Sequence, residues 1–210
     1  MEFTKARPPE VDKIVEQIGN RYHLLQAREG IHATDCIYCL RKAYWNRTNP
    51  LPPTPTEILY FLRGLGMQEA LLGKDSPPEV NHQGIILSPD YYKDGIIAEL
   101  KTTMIGVKRL DEYDFPEGWL RQLMAYCYAL GKGRALLIVL TIIRSELLSY
   151  IVQFEDDELK ANWKWLMERA VILEDAYTND VLPEVEEEEK WQCMNCRYAL
   201  RCQTMKEVTK

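Results

Sequence analysis

Cysteines near the two ends of this 210-residue chain constrain its fold more than any other feature. Cys39 lies near the start, and Cys193, Cys196 and Cys202 lie close to the end in a C-x2-C-x5-C pattern. In a reducing compartment, paired cysteines are more often metal ligands than disulfides. If these four cysteines share one metal centre, the two ends of the chain must meet. A thiolate tetrad suits either an iron–sulfur cluster or Zn²⁺.

The zinc alternative has a sequence pattern of its own. Cys36-x2-Cys39 together with Cys193-x2-Cys196 forms a C-x2-C…C-x2-C arrangement, which would leave Cys202 unused. The iron–sulfur interpretation instead uses Cys39 with the three C-terminal cysteines and leaves Cys36 as an ordinary small residue. The cysteines by themselves indicate a metal centre that joins the two ends of the chain, and they leave both interpretations open.

Composition indicates one soluble, cytoplasmic domain. Apolar residues make up 46% of the chain and charged residues 28%, which allows a packed core and argues against wholesale disorder. The longest apolar run, Ala135 to Ile143, is far shorter than the roughly 20 residues needed to span a bilayer, and the N-terminus lacks a signal-peptide segment. The net charge of −6 does not exclude nucleic-acid binding, because a local basic patch can contact phosphates.

Apolar periodicity and turn residues predict an α/β or α+β domain. We divide the single domain into an N-terminal helical segment (1–53), a core (54–178), and an acidic linker with a C-terminal cysteine segment (179–210). The acidic linker contains the run 184–189. Predicted helices are 10–28, 36–47, 54–73, 119–130 and 156–177, and predicted strands are 80–87, 90–92, 96–102, 135–143 and 147–154. The last two strands are rich in β-branched residues and are predicted to be buried.

Two carboxylates in the middle of the chain form a candidate site for a hard divalent cation. Asp90 opens one strand, Glu99 lies on the next, and Lys93-Asp94-Gly95 predicts a hairpin turn between them. Asp90, Glu99 and the backbone carbonyl of Leu100 could hold Mg²⁺ or Mn²⁺. Lys101 shares a strand face with Glu99, where it could orient water or stabilise charge on a phosphate. The alternative is a surface salt bridge, which the apolar run leading into Glu99 disfavours.

These residues resemble a known nuclease signature. Ser88-Pro89-Asp90 followed by Glu99-Leu100-Lys101 resembles the PD-(D/E)XK motif, and Gln122-x3-Tyr126 is similar to the Q-x3-Y motif of its RecB-type branch. Gln68 occupies the position where that branch usually has a histidine, so it is a weak candidate metal ligand. The resemblance implies a restriction-endonuclease-like core with a central mixed sheet flanked by helices. It also implies that Gln122 and Tyr126 position the substrate.

The cysteines extend the resemblance to nearly the whole chain. Together with the nuclease motifs, they resemble the CRISPR-associated Cas-four exonuclease family. That resemblance implies a [4Fe-4S] cluster, with [2Fe-2S] or Zn²⁺ as alternatives, that joins the two terminal segments. It further implies 5′-to-3′ exonuclease action on single-stranded DNA during CRISPR spacer acquisition or related processing. The implied partners are adaptation integrase proteins or a helicase, and an oligomer is a further expectation. The cluster ligands would be Cys39, Cys193, Cys196 and Cys202.

Basic residues interleaved with aromatic ones suggest a DNA-binding surface. The alternative for each of them is a solvated helix face or a core aromatic. Two other functions also fit the sequence. One is a free-standing repair or viral recombination nuclease, and the other is a nucleic-acid-binding module that keeps the metal cluster but has lost catalytic activity. The DNA-binding candidates are Arg41, Lys42, Tyr44, Arg47 and Arg121.

Overall fold

The computed structural model describes residues 9–21, 28–73, 77–184 and 190–208. The end of the first predicted helix (22–27) and most of the acidic run (185–189) lie outside the described residues. The helices are α1 (Pro9–Arg21), α2 (Ala33–Ile37), α3 (Leu40–Thr48), α4 (Pro55–Leu72), α5 (Val107–Asp111), α6 (Glu117–Ala129), α7 (Asp156–Asn179), α8 (Lys190–Met194) and α9 (Ala199–Val208). The strands are β1 (Ile31–His32), β2 (Val80–His82), β3 (Ile85–Leu87), β4 (Tyr91–Lys93), β5 (Ile96–Thr103), β6 (Arg134–Thr141) and β7 (Glu146–Gln153).

A four-stranded mixed sheet with the order β4-β5-β6-β7 forms the centre of the molecule. Strands β5 and β6 are parallel, and the two outer pairs are antiparallel. The predicted hairpin between β4 and β5 is confirmed, since Asp94 and Gly95 turn the chain with φ of 52° and 76°. Tyr91 then pairs with Ala98, which sets the register beside the two carboxylates. A small second sheet has the order β1-β3-β2.

Helices flank the central sheet, as the fold class predicts. Helix α6 packs against β5, β6 and α7, while α4 also contacts β5. The side chains of Leu123, Leu137 and Leu166 are fully buried in the core between α6, α7 and the sheet. The prediction of two buried strands is wrong for β7, where Ile151 is 73% exposed. Among the described strands β7 lies at the edge of the sheet, so only alternate side chains face the core.

Local sequence signals fixed the start and end of α4. The Thr54 hydroxyl accepts a hydrogen bond from the Glu57 backbone N–H at 3.2 Å, and the Glu57 carboxylate accepts one from the Thr54 N–H at 2.9 Å. This reciprocal capping box, with Pro55 in the first turn, confirms the predicted start. The helix ends at Gly73, whose φ of 90° a residue with a side chain rarely adopts.

The predicted helix over 36–47 is instead two helices separated by an extended turn. Tyr38 ends α2 in an extended conformation, and Cys39 is the N-cap of α3. Arg169 of α7 donates hydrogen bonds to the backbone carbonyls of Cys36 and Tyr38. These tertiary contacts replace the bonds that a continuous helix would make, and a local pattern could not reveal them.

A second hydrophobic cluster joins the ends of the chain. It contains Leu40, Tyr44 and Trp45 of α3, part of α7, and Tyr198, with Cys196 and Cys202 packed against it. The two segments that carry the predicted cluster cysteines therefore meet. In the described part of the chain, no helix combines the length and apolar character needed to cross a membrane.

Candidate active site

The hairpin brings Asp90 and Glu99 to the same part of the central sheet. Asp90 lies just before β4, and its Oδ2 accepts a hydrogen bond from the Leu100 backbone N–H at 2.8 Å. Glu99 lies in β5 and is only 4% exposed. Two acidic side chains are thus held at a fixed place by the backbone of one short hairpin.

The two oxygens of the Glu99 carboxylate differ in their hydrogen bonding. Its Oε1 accepts a hydrogen bond from the Lys101 Nζ at 2.7 Å. Its Oε2 is buried and has no hydrogen-bond partner among the residues that the structure describes. An unsatisfied, buried carboxylate oxygen is costly. A divalent cation bound by oxygen ligands would satisfy it, so the donor set fits Mg²⁺ or Mn²⁺.

The electrostatics show how strongly these groups interact. Burial, followed by the negative charge of Glu99, raises the pKa of Asp90 to about 7. Burial lowers the pKa of Lys101, but the nearby carboxylate of Glu99, with smaller contributions that include Asp90, outweighs it, and the net pKa is raised. Lys101 therefore carries its positive charge at neutral pH beside the two carboxylates.

Helix α6 adds two polar side chains to the site through a continuous chain of hydrogen bonds. The Lys101 ammonium donates to Gln122 Oε1 at 2.7 Å, and Gln122 Nε2 donates to the Tyr126 hydroxyl at 2.6 Å. That hydroxyl donates to the Ser88 carbonyl at 3.0 Å. Burial and the charge of Glu99 raise the pKa of Tyr126 well above its ordinary value, so the hydroxyl keeps its proton. Gln122 and Tyr126 therefore hold Lys101 and the turn that precedes Asp90.

Sequence reasoning missed one support of this turn. The Ser88 hydroxyl donates to the Glu79 carboxylate at 2.8 Å, so both the backbone and the side chain of Ser88 are tethered. Ser88 stood within the recognised motif, but the sequence held no signal for Glu79. Gln68 lies half-buried in the C-terminal half of α4, the helix that contacts β5. Its role as a weak metal ligand stays a prediction.

Four of the five predicted DNA-binding residues lie on α3, and three of these four bond or pair with polar groups of the protein itself. Tyr44 is 6% exposed and its hydroxyl donates to Asp180, so its ring belongs to the core and is not open for base stacking. The Arg41 guanidinium donates to a backbone carbonyl at 2.6 Å. The Lys42 ammonium lies 3.5 Å from the carboxylate of Glu57.

The other two predicted DNA-binding residues lie against aromatic rings. The Arg47 guanidinium lies 4.4 Å from the ring centre of Tyr177. The Arg121 guanidinium lies 3.8 Å from the ring centre of Trp165 and also pairs with Glu117. These contacts account structurally for both arginines, so their role in binding DNA stays a prediction.

The structure brings the cysteine-bearing segments together. Cys39 begins α3, while Cys196 and Cys202 are half-buried against the cluster that includes α3, and Cys193 is exposed. Within residues 9–21, 28–73, 77–184 and 190–208, no group of three or more His, Cys, Asp or Glu side chains is arranged to hold a metal. The four thiols have the chemistry that an iron–sulfur cluster or Zn²⁺ requires.

The remaining two cysteines lie in the core. Cys36 and Cys127 are both fully buried. Burial, followed by the charge of Asp35, raises the pKa of Cys36 to about 12, and burial raises that of Cys127 to about 11. Because a metal binds the thiolate, these values fit the interpretation of both residues as core side chains.

Comparisons with known proteins give a fold but no family. No protein-family model matches the chain. No curated protein matches it either. The crystal structure of a protein named SSO0001 is similar over 91% of this chain and 95% of its own, with 19% identity and a TM-score of 0.58. An alkaline exonuclease from Laribacter hongkongensis, LHK-Exo, is similar over 72% of this chain and 92% of its own, with 10% identity and a TM-score of 0.51. The predicted nuclease fold is thereby confirmed.

Proposed function

We propose that this protein is a divalent-metal-dependent DNA nuclease whose active site contains Asp90, Glu99 and Lys101. The observation that carries the proposal is the buried Oε2 of Glu99 beside Asp90, for which the described part of the chain offers no hydrogen-bond partner. It lies in a fold shared with an alkaline exonuclease. Fold alone does not define chemistry, so the assignment depends on the site.

Two carboxylates and one backbone carbonyl would hold the ion. Asp90, Glu99 and the Leu100 carbonyl are the oxygen donors, and Mg²⁺ or Mn²⁺ is the cation that such donors bind. When bound, the ion supplies Lewis-acid charge for a phosphodiester and lowers the pKa of water. Burial of Glu99 keeps its carboxylate in one orientation, and the Leu100 N–H does the same for Asp90.

Lys101 acts as the cation that the protein itself provides. An ammonium group has three N–H donors, and Lys101 uses two of them, toward Glu99 and Gln122. The third can donate to a phosphate oxygen or to an attacking water. A donor fixed in this way stabilises charge as it develops on the phosphate.

Gln122 and Tyr126 act as positioning residues. Both are buried, at 5% and 2% exposure, and their polar atoms bond Lys101 and Ser88. The motif implies that both residues contact substrate, but we propose an indirect role: through these hydrogen bonds they set the positions of Lys101 and of the turn before Asp90.

The proposal extends to a [4Fe-4S] cluster held by Cys39, Cys193, Cys196 and Cys202, with [2Fe-2S] or Zn²⁺ as alternatives. The meeting of the two cysteine-bearing segments in one hydrophobic cluster supports it. The substrate that we propose is single-stranded DNA, degraded from 5′ to 3′ in CRISPR spacer acquisition or related processing. A free-standing repair or viral recombination nuclease would use the same site.

Cleavage of labelled DNA tests the proposal. Purified protein with Mn²⁺ should degrade linear single-stranded DNA. The products from 5′- and 3′-labelled strands report the polarity of cleavage, and cleavage of circular DNA reports endonuclease action. Glu99→Gln should lower the rate by about 1000-fold or more, because it removes a metal ligand and a charge. Glu146→Gln, a matched change at a residue outside the site on β7, should not.

Binding without cleavage would overturn the nuclease assignment. If the wild-type protein binds single-stranded DNA but leaves it intact with Mg²⁺ and with Mn²⁺, the catalytically decayed binding module is the better description. Equal cleavage by wild-type protein and Glu99→Gln would place the activity elsewhere or in a contaminant.

A further inference from the structure

The C-terminal cysteine segment is attached to the rest of the molecule by an ion pair that uses no cysteine. We call residues 196–202 the clasp. Arg197 lies 3.1 Å from the carboxylate of Glu57, and the two side chains are only 10% and 6% exposed. The same carboxylate caps α4 through the Thr54 N–H and lies 3.5 Å from the Lys42 ammonium. One buried carboxylate therefore ties α3, α4 and the clasp together.

Tyr198 fixes the clasp at a second point. Its side chain is fully buried, its hydroxyl accepts a hydrogen bond from the Leu51 N–H at 3.2 Å, and it donates to Asn46 Oδ1 at 3.0 Å. Its ring centre lies 5.3 Å from that of Trp45. Arg197 adds a hydrogen bond of 2.9 Å to the Leu51 carbonyl. Arg197 and Tyr198 thus each form hydrogen bonds with two other residues of the protein.

The N-terminal cysteine is placed by a different arginine. Arg169 is 7% exposed and donates to the carbonyls of Cys36 and Tyr38, which fixes the turn that leads into Cys39. Since α3 also packs against α7, the start of α3 is anchored from the core. Arginines, a tyrosine and a glutamate thus make polar contacts to both cysteine-bearing segments.

We propose that the clasp docks through Glu57, Arg197 and Tyr198 before any metal cluster is present, so that a preformed protein scaffold presents the cysteines and metal loading follows docking. A buried ion pair with further hydrogen bonds to both partners is strongly destabilising to break, since it leaves a buried charge. Metal-dependent folding, in contrast, would leave the segment undocked without metal. The proposal extends the cluster assignment, but it depends on neither cleavage nor iron.

Amide hydrogen exchange of the full chain, followed by mass spectrometry, tests the order of events. The peptide 196–204 reports docking, and 135–141 in β6 reports the core. In the variant Cys193→Ser/Cys196→Ser/Cys202→Ser, exchange of the clasp should stay within about threefold of wild type. In Arg197→Met it should rise by about 100-fold while the core peptide stays protected. Arg144→Met, which removes an arginine that is 72% exposed, is the matched control and should change neither peptide.

A second variant tests the same ion pair from its other side, in case Arg197→Met does not fold. Glu57→Gln keeps an acceptor for the Thr54 N–H, so α4 stays capped while the charge opposite Arg197 is lost, and it should also speed exchange of the clasp. The proposal would be overturned if, in the triple cysteine variant, the clasp exchanged as fast as an unfolded peptide while β6 stayed protected. Unchanged exchange in both Arg197→Met and Glu57→Gln would also overturn it. Neither outcome would bear on whether Glu99 supports cleavage.

Discussion

The candidate active site and the clasp both depend on a buried glutamate, but among the described residues only Glu57, at the clasp, has partners for both carboxylate oxygens. In the clasp, Glu57 meets Arg197, Lys42 and a backbone N–H. In the candidate active site, Glu99 Oε1 pairs with Lys101, Glu99 Oε2 has no hydrogen-bond partner among the described residues, and the pKa of Asp90 is raised to about 7, chiefly by burial. A satisfied cluster stabilises structure, whereas an unsatisfied one indicates a ligand.

The two regions also differ in how far apart their residues lie in sequence. Contacts in the active site join residues close in the chain, such as Lys101 and Gln122 at a separation of 21. Contacts in the clasp span nearly the whole chain, such as Glu57 with Arg197 at a separation of 140. Closing so long a loop costs conformational entropy, which the clasp must offset with buried contacts. The acidic and basic groups of the candidate active site, in contrast, come from one hairpin.

The largest expected effect concerns the metal content of the clasp. Cys196→Ser should reduce iron per chain to background and remove the visible absorbance of an iron–sulfur protein, because a ligand is lost. Cys36→Ala should keep both, since Cys36 is a buried thiol with a pKa of about 12. Elemental analysis of anaerobically purified protein measures this. If the wild-type protein contains stoichiometric zinc and Cys36→Ala loses it, the zinc alternative is favoured and the metal site includes the buried Cys36.

The next effect concerns how much the buried charge of Asp90 lowers the free energy of unfolding. In EDTA, Asp90→Asn should raise the free energy of unfolding by about 2 to 4 kcal/mol at pH 8. The folded pKa of about 7 lies above the ordinary 3.8, so the folded state holds the proton more tightly. The cost of ionising Asp90 is absent below the ordinary pKa, grows as the pH rises from there, and is complete above about 7.

Chemical denaturation at pH 5 and pH 8 measures this difference. The gain from Asp90→Asn should be clearly smaller at pH 5, because much of the cost has not yet developed. Asp94→Asn is the matched control, since Asp94 is exposed in the hairpin turn and should change stability little at either pH. A gain that does not depend on pH would contradict the electrostatic contrast between the two regions.

The smallest effect separates positioning from direct catalysis. Tyr126→Phe removes the hydroxyl that links Gln122 to the Ser88 carbonyl, and it should lower kcat by about tenfold and stability by about 1 kcal/mol. KM should change little if the role is indirect. Tyr150→Phe is the matched control, because the buried Tyr150 hydroxyl has no hydrogen-bond partner among the described residues. Full activity of Tyr126→Phe would show that the Tyr126 hydroxyl has no role in catalysis.

Local signals predicted the framework of the active site well. The hairpin at 93–95, the capping box of α4 and the shared helix face of Gln122 and Tyr126 all depend on residues within a few positions of one another. The fold class followed from the order of such elements. The exposed face of β7 was missed, because a strand's own sequence does not say whether it lies at the edge of a sheet.

Long-range contacts set the limit of prediction around α3. The sequence suggested an open basic and aromatic surface, but Tyr44 is buried and Arg41 bonds a carbonyl 142 residues away. The break before Cys39 likewise depends on Arg169, more than 130 residues further along the chain. Side chains with several donors can bind either nucleic acid or their own backbone, and local spacing does not distinguish the two.

The sequence by itself determined which residues could form each site: two carboxylates and a lysine across one hairpin, and cysteines near both ends. Tertiary structure decided what surrounds them. It left Glu99 Oε2 buried without a partner among the described residues, and it gave Arg197 a buried carboxylate. The physical reason is that hydrogen-bond partners and burial depend on groups brought together from distant segments, whereas residue type and turn geometry are local.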